Sequence, residues 1–423
     1  MTGKMVLPAA LAAMLGGSAF AQEPVELRFM WYSDGNEGEV IADLVSRFEE
    51  ENPDIRVVLD NVAYAVIRDQ LPVQLEAGQG PDLARVTTLK DLAPHWLDLR
   101  GLVEEPAYWE ENFGNYLDWM RPEGSDIIPG YMTQLTVTGP FVNRTLFEQA
   151  GVELPGEGAT WDEWAAAVNE VAADQGIPMP LAIDRSGHRF AGPAISMGAQ
   201  FIADDGSPAI IDDGFKAMAE RIAGWHEDGT MSPEIWGSVS GTTLRAANEE
   251  FANAQVVMYY SGSWQIGQFA ETIGDAFDWA AVPNPCGPAA CTGIPGGAGV
   301  VGIKYTEHPE EVARLMDWLA SEPVLKEFYE RTLFLPGHAG LTASGLEYQS
   351  DNPSVKESLD TFVRSVGQLA PLANRMPAWD WANIVYFATV SRLGQVVAGE
   401  LSLEDAYRRI EEDVDQQIAE AQR

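Results

Sequence analysis

The sequence predicts an α/β protein built from two lobes, and three observations carry that reading. A chain of 423 residues exceeds what one ordinary core needs, so two or more lobes of domain size are expected. Its first ordered stretch reads strand, helix, strand, which favours a parallel sheet wrapped by helices. The alternation then recurs to the C-terminus with no internal repeat and no low-complexity linker, so short crossings join the lobes.

The first strand shows Val25, Leu27, Phe29 and Trp31 alternating with Glu26, Arg28 and Met30. After the polar loop at 32–38, Val40, Ile41, Leu44, Val45 and Phe48 form one helical face, which stops near Asn52-Pro53. Ile55, Val57 and Leu59 alternate as the second strand. Residues 69–76 read as a helix closed by Gly78-Gln79-Gly80-Pro81, and 82–86 as a short strand. Thr160-Trp161-Asp162-Glu163 spells a capping box opening a helix through Val171. Residues 255–260 and 296–303 read as buried strands. Pro309 starts a helix with Glu310 and Glu311 in its first turn. The last helix covers 402–421, with Ala406, Ile410, Val414 and Ile418 on one side.

Composition narrows the function. Hydrophobic residues make up 46% and aromatics 10%, as in a globular protein. A formal net charge of −38 argues against a nucleic-acid partner, because one polyanion repels another. Residues 1–21 read as a cleaved export leader: Lys4, an apolar stretch from Val6 to Leu15, then Ala19-Phe20-Ala21 before Gln22. About ten apolar residues give roughly 15 Å of helix, half of a ~30 Å hydrocarbon core. No cysteine stands at the cleavage point to carry a lipid, so the mature protein is expected free in the periplasm. Cys286 and Cys291 fit a disulfide in that oxidising compartment better than a metal or redox pair. Five scattered histidines and no H-E-x-x-H, G-x-S-x-G or Walker loop leave no cofactor, metal site or catalytic motif. Gly297-Ala298-Gly299-Val300-Val301-Gly302 matches G-x-G-x-x-G by letter, but no helix opens within it.

Several stretches resemble one family. They are 48–55 with 76–83, Phe141-Val142-Asn143-Arg144 with Ala159-Thr160-Trp161, and Val257–Trp264 with Gly296–Ile303 and Pro309-Glu310-Glu311. In that order they are similar to family 1 extracellular solute-binding proteins of ABC importers, the maltose-binding type. Arg28–Glu39, Asp184–Pro193 and Pro285–Gly293 resemble the branch associated with import of α-1,4-digalacturonate. The resemblance implies a two-lobed periplasmic-binding-protein fold with discontinuous lobes and a hinge. Lobe one would take 22–136 and 283–335; lobe two would take 137–282 and 336–423. It implies a monomer that binds a sugar ligand in an interlobe cleft and delivers it unaltered to ABC permease subunits. The ligand would be an acidic oligosaccharide, with a neutral or another acidic sugar as the alternative and a secreted glycan-active enzyme further off.

A sugar offers hydroxyl edges to polar groups and apolar C–H faces to aromatic rings. Trp31, Asp34, Asn36 and Glu37 lie where the first strand yields to its helix, the carboxyl-end position where open α/β sheets take ligands. Gln134 stands at the family's crossing position, and Trp264 matches the segment that donates a stacking ring. Arg185, His188 and Arg189 lie in a loop matching a family contact loop. They either grip a carboxylate or pair with surface acids. Gly296 and Gly297 either admit backbone amides to the sugar or mark a bulge. Arg375, Trp379 and Trp381 precede an apolar helix where the family places another aromatic contact. Trp164, Trp225 and Trp318 sit in helical patterns and read as core.

Overall fold

The computed structural model of the chain describes residues 23–122 and 124–422. The export leader read at 1–21 lies outside them. Ten strands are present among the described residues: β1 (Val25–Trp31), β2 (Ile55–Asn61), β3 (Leu83–Val86), β4 (Gly130–Asn143), β5 (Met179–Ile183), β6 (Phe201–Ile202), β7 (Pro208–Ala209), β8 (Val256–Gly262), β9 (Trp279–Ala281) and β10 (Pro295–Gly302). Eight of them form one sheet in the order β2-β1-β3-β10-β4-β8-β5, with β9 on β4; β6 and β7 make a separate pair.

The sheet is mixed. Parallel pairing holds where the sequence predicts it, between β1 and its neighbours β2 and β3, and it also joins β5, a strand not read from the sequence, to β8. The chain turns antiparallel at β10, which pairs with β3 and β4.

The 14-residue strand β4 organises the molecule. Residues Gly130–Val137 lie in register with β10, whereas Thr138–Val142 pair with β8 and Phe141–Asn143 with β9. One strand therefore serves two half-sheets, changing partners between Val137 and Thr138. Beside that point Leu135 donates its N–H to the Leu335 carbonyl at 3.0 Å, so a second chain segment runs through the same place.

Each half-sheet has its own apolar packing. Phe29, Trp31 and Phe328 stack edge to face in the first half. In the second, Phe141 meets Phe251, Phe269, Trp279 and Phe362. Trp164 and Trp225 are buried, and Trp318 packs half-buried against Phe48. Cys286 and Cys291 are joined, and their loop docks on the capping box: Trp161 N–H donates to the Cys286 carbonyl.

Two local readings differ from the structure, and the long strand β4 went unread. The helix expected at 69–76 is two short ones, Tyr64–Asp69 and Leu71–Glu76, because Pro72 must sit in a first turn. Residues 184–189 are not all loop, since the helix Gly187–Ser196 starts there. It packs against the helix Ala382–Val397 so closely that a Cβ on Gly187 would lie 2.1 Å from the Tyr386 carbonyl oxygen. The strand β4 has no alternation to reveal it, because every one of its residues is buried.

Candidate functional site

Between the two half-sheets lies a cleft of about 410 Å³. Tyr32, Ser33, Asp34, Tyr64 and the Thr87–Asp91 loop line it from the first half; β4 contributes Gln134 and Thr136. The second half supplies His188, Arg189, Asn248, Trp264, Gln268, Trp379, Asn383 and Tyr386.

The loop after β1 is held from below. Glu37, the first residue of the helix Glu37–Glu51, accepts the N–H groups of Asp34 and Gly35, the latter at 2.8 Å. An acidic side chain suits that helix start, where backbone N–H groups lack partners. Glu37 also pairs with Arg85 at 2.9 Å. Arg85 comes from β3, has no exposed surface, and donates to the Tyr32 carbonyl at 2.7 Å and to Gln134 Oε1 at 2.8 Å. Its guanidinium lies 4.2 Å from the Tyr32 ring and 3.6 Å from the Asp34 carboxylate. Asp34 faces the cleft, and burial pushes its carboxyl up to about 6. Arg85 opposes that rise, Glu37 reinforces it, and Arg189 across the cleft opposes it again.

The opposite wall is built on Asp184, which is buried at the end of β5. It accepts from Tyr259 Oη at 2.6 Å, Ser261 Oγ at 2.7 Å and Ala247 N–H at 3.2 Å. Burial raises its pKa, and the Arg189 charge works against that. Arg189 Nε stands 3.5 Å from Asp184, and the guanidinium lies 4.2 Å from the Trp264 ring. A cation on an indole face gains about 0.5–2 kcal/mol, so the pair fixes both side chains.

His188 is neutral here. Its Nδ1 lies 3.3 Å from Arg189 Nη1, which can only donate, so the ring proton is on Nε2, facing the Pro295 carbonyl at 3.4 Å. Burial, helped by the Arg189 charge, pushes its pKa down to about 3.

The cleft therefore gathers Asp34, Gln134, His188, Arg189, Trp264, Gly296, Gly297 and Trp379 from the residues singled out in the sequence. The others need correction. Trp31 does not reach it; its ring is buried between Phe29 and Phe328, on the inward face of β1. Asn36 points away and donates to the Arg331 carbonyl at 3.0 Å. Glu37 sits beneath the loop as a buried support. Arg185 is buried at the edge of the cleft. Its guanidinium is taken up by the carbonyls of Trp236, Thr243, Gly241 and Val390. Arg375 is exposed and Trp381 half-buried, both outside the cleft.

Gly297 stands where the strand is crowded and irregular. The β10–β4 register shifts between Ala298 and Gly299, and a Cβ on Gly297 would meet the Gln134 carbonyl oxygen at 2.2 Å. Close strand approach next to a bulge requires glycine there.

Sequence reasoning missed Arg85, Tyr64, Lys90, Asp91, Asn383 and Tyr386. Arg85 did leave a signal, as one cation in the otherwise apolar strand Leu83-Ala84-Arg85-Val86. The rest lie on loops and helix faces whose convergence depends on the fold.

Chemically the arrangement offers rings for apolar faces and fixed donors and acceptors for hydroxyls. Among the described residues no group of three or more His, Cys, Asp or Glu side chains is placed to hold a metal ion. Nor is any helix among them long and apolar enough to cross a membrane.

Known proteins share this architecture. An ABC substrate-binding protein from Listeria monocytogenes, solved with cycloalternan, superimposes with a TM-score of 0.75 at 17% identity; 94% of this chain and 100% of that chain are covered. A binding protein of Brucella abortus is 23% identical over 385 residues, 86% of this chain and 87% of its own length. The multiple sugar-binding protein of Streptococcus mutans is 22% identical over 307 residues, covering 68% and 69% respectively. The family model for bacterial extracellular solute-binding proteins matches residues 32–326, well over half of the sequence, and the chain belongs to that family.

Proposed function

We propose that this chain captures an oligosaccharide in the interlobe cleft and delivers it intact to an ABC importer. The family is one of binding proteins rather than enzymes. The observation that carries the sugar reading is the cleft lining, where Trp264, Trp379 and Tyr386 share one cavity with Asp34, Gln134, Asn248 and Gln268. Rings take the apolar sugar faces, and carboxylate and amides take the hydroxyls. Export by a cleaved leader, action as a monomer and release to permease subunits complete the proposal.

The lobes we propose are 22–136 with 283–335, and 137–282 with 336–423. The partner change within β4 and the adjoining Leu135–Leu335 contact support a hinge there. Small dihedral changes at such a crossing let the lobes separate and close.

The ligand we favour is acidic, α-1,4-digalacturonate, because Arg189 lines the cleft with its guanidinium 4.2 Å from the Trp264 ring. A guanidinium fork suits a carboxylate. A neutral oligosaccharide is the second reading. Asp184 already stands beside Arg189, and a formal net charge of −38 opposes a dianion. Titration calorimetry with digalacturonate, galacturonate and maltose separates the two. Binding of digalacturonate alone is expected, and binding of maltose alone ends the acidic reading. New reducing ends released from polygalacturonate would end the receptor reading altogether.

A further inference from the structure

Arg85 settles which way Gln134 faces. Arginine has donors and no acceptor, so the Gln134 atom 2.8 Å from Arg85 Nη2 is the amide oxygen. The guanidinium cannot swing aside. It has no exposed surface, and Nη1 is committed to the Tyr32 carbonyl and the Glu37 carboxylate. The orientation of Gln134 is thus imposed from behind by a buried cation. What Gln134 has left for the cleft it lines is the amide nitrogen with two N–H donors, beside Thr136 and Gly296.

We infer that Gln134, positioned by Arg85, determines specificity by presenting donors alone, so the ligand group seated on it is a lone-pair oxygen. A carboxylate oxygen, a ring or glycosidic ether oxygen, or a hydroxyl turned to accept satisfies it; a group that can only donate leaves two donors facing each other. The inference rests on the saccharide reading of the cleft and deepens it, because it states the hydrogen-bond polarity of one subsite.

Gln134→Glu is the direct test. Glutamate keeps the length and gives Arg85 a charged partner, so the fold is retained, but it shows the ligand acceptors in place of donors. Calorimetry with digalacturonate and with maltose is expected to show affinity reduced at least about tenfold for whichever sugar the natural protein binds. The thermal midpoint should be equal or higher. A larger loss for digalacturonate identifies the seated oxygen as a carboxylate, and a loss seen with maltose identifies an uncharged oxygen. Unchanged affinity for a sugar that the natural protein binds overturns the inference and leaves the saccharide reading standing. A natural protein that binds neither sugar overturns both.

A double-mutant cycle tests the positioning role of Arg85. Arg85→Met should weaken binding on its own and add nothing in a Gln134→Met background. Equal additional losses in both backgrounds would show that Arg85 acts independently of Gln134 and overturn the positioning. If Arg85→Met does not fold, Gln134→Glu decides alone.

Discussion

Replacing Arg185 with alanine takes the guanidinium away from the carbonyl oxygens of Trp236, Gly241, Thr243 and Val390, the first and last of them in buried hydrogen bonds. Hydrogen bonds to a charged group are worth more than neutral ones, and stranded buried acceptors add a desolvation cost. The expected loss is roughly 3–5 kcal/mol of stability. Urea titration should show it as a lowered midpoint, while sugar affinity of the folded fraction stays unchanged. Arg189→Ala should do the reverse, lowering affinity roughly tenfold or more at a nearly constant midpoint. Both effects following the same residue would refute this division of roles. His188 gives the pH prediction. Its folded pKa, near 3, lies below the ordinary histidine value, so the unfolded chain binds the proton first as pH falls. The stability it contributes is full above about pH 6.5 and is lost as pH falls toward 3. His188→Gln should therefore flatten the fall in midpoint between about pH 6 and 4 relative to the natural protein. An unaltered slope would show that the imidazole titrates in the folded protein as it does in the unfolded chain. The sequence made Arg185, His188 and Arg189 visible as a cluster of cations in an acidic chain. It could not divide them, because that depends on carbonyls arriving from Trp236–Thr243 and from Val390, far along the chain.

The helix Gly187–Ser196 carries His188 and Arg189, and what aims it is its contact with the helix Ala382–Val397. A Cβ on Gly187 would fall 2.1 Å from the Tyr386 carbonyl oxygen and 2.4 Å from its Cα, both backbone atoms that cannot rotate away. Gly187→Ala must push the helices apart, at a cost of about 1–3 kcal/mol or more. It should also weaken sugar binding, because Arg189 then leaves Trp264. Gly224→Ala, inside the helix Asp213–Asp228 where nothing lies within 4 Å of the added carbon, is the control and should leave affinity unchanged and the midpoint equal or somewhat higher. If Gly187→Ala lowers the urea midpoint and leaves affinity intact, the helix does not aim the site. Elements with a period were legible: β1, the helix Glu37–Glu51, the capping box at Thr160 and the last helix Leu403–Ala421 all stand within a few residues of their reading. Elements without one were not. β4 carries Pro140 in mid-strand and is buried on both faces, so neither alternation nor proline avoidance marks it. The glycines and Pro193 of Gly187–Ser196 likewise look like loop residues, though Gly187 is there for close packing.

At the scale of the whole molecule, the order of resembling stretches made the family legible, whereas the contacts across the cleft were not. They join residues from distant parts of the chain. Lys90 Nζ lies 3.5 Å from Asp380 Oδ1, and Asn383 Nδ2 donates to Asp91 Oδ2 at 2.9 Å. Nearby, a Cβ on Gly35 would come within 3.6 Å of the Gln268 backbone nitrogen, so the opposite walls also meet beside Asp34. These links join the segments we assign to different lobes, and they exist only when the walls are close together. They therefore stabilise a closed arrangement over an open one, and a ligand that binds the closed arrangement gains whatever they contribute. The contribution is modest because Asp380 is 45% exposed, and exposed pairs are worth at most about 1 kcal/mol. Asp380→Ala combined with Asn383→Ala should thus weaken sugar binding by only about three- to tenfold. The kinetics carry the discriminating signal. Neither side chain is proposed to grip the sugar directly, so encounter with an open cleft should proceed at its natural rate. Escape, which needs the walls to part, should speed up. Stopped-flow tryptophan fluorescence reads both rates, since Trp264 and Trp379 line the cleft. A slowed association with unchanged dissociation would show that these residues guide entry, and that the links across the rim do not hold the lobes shut.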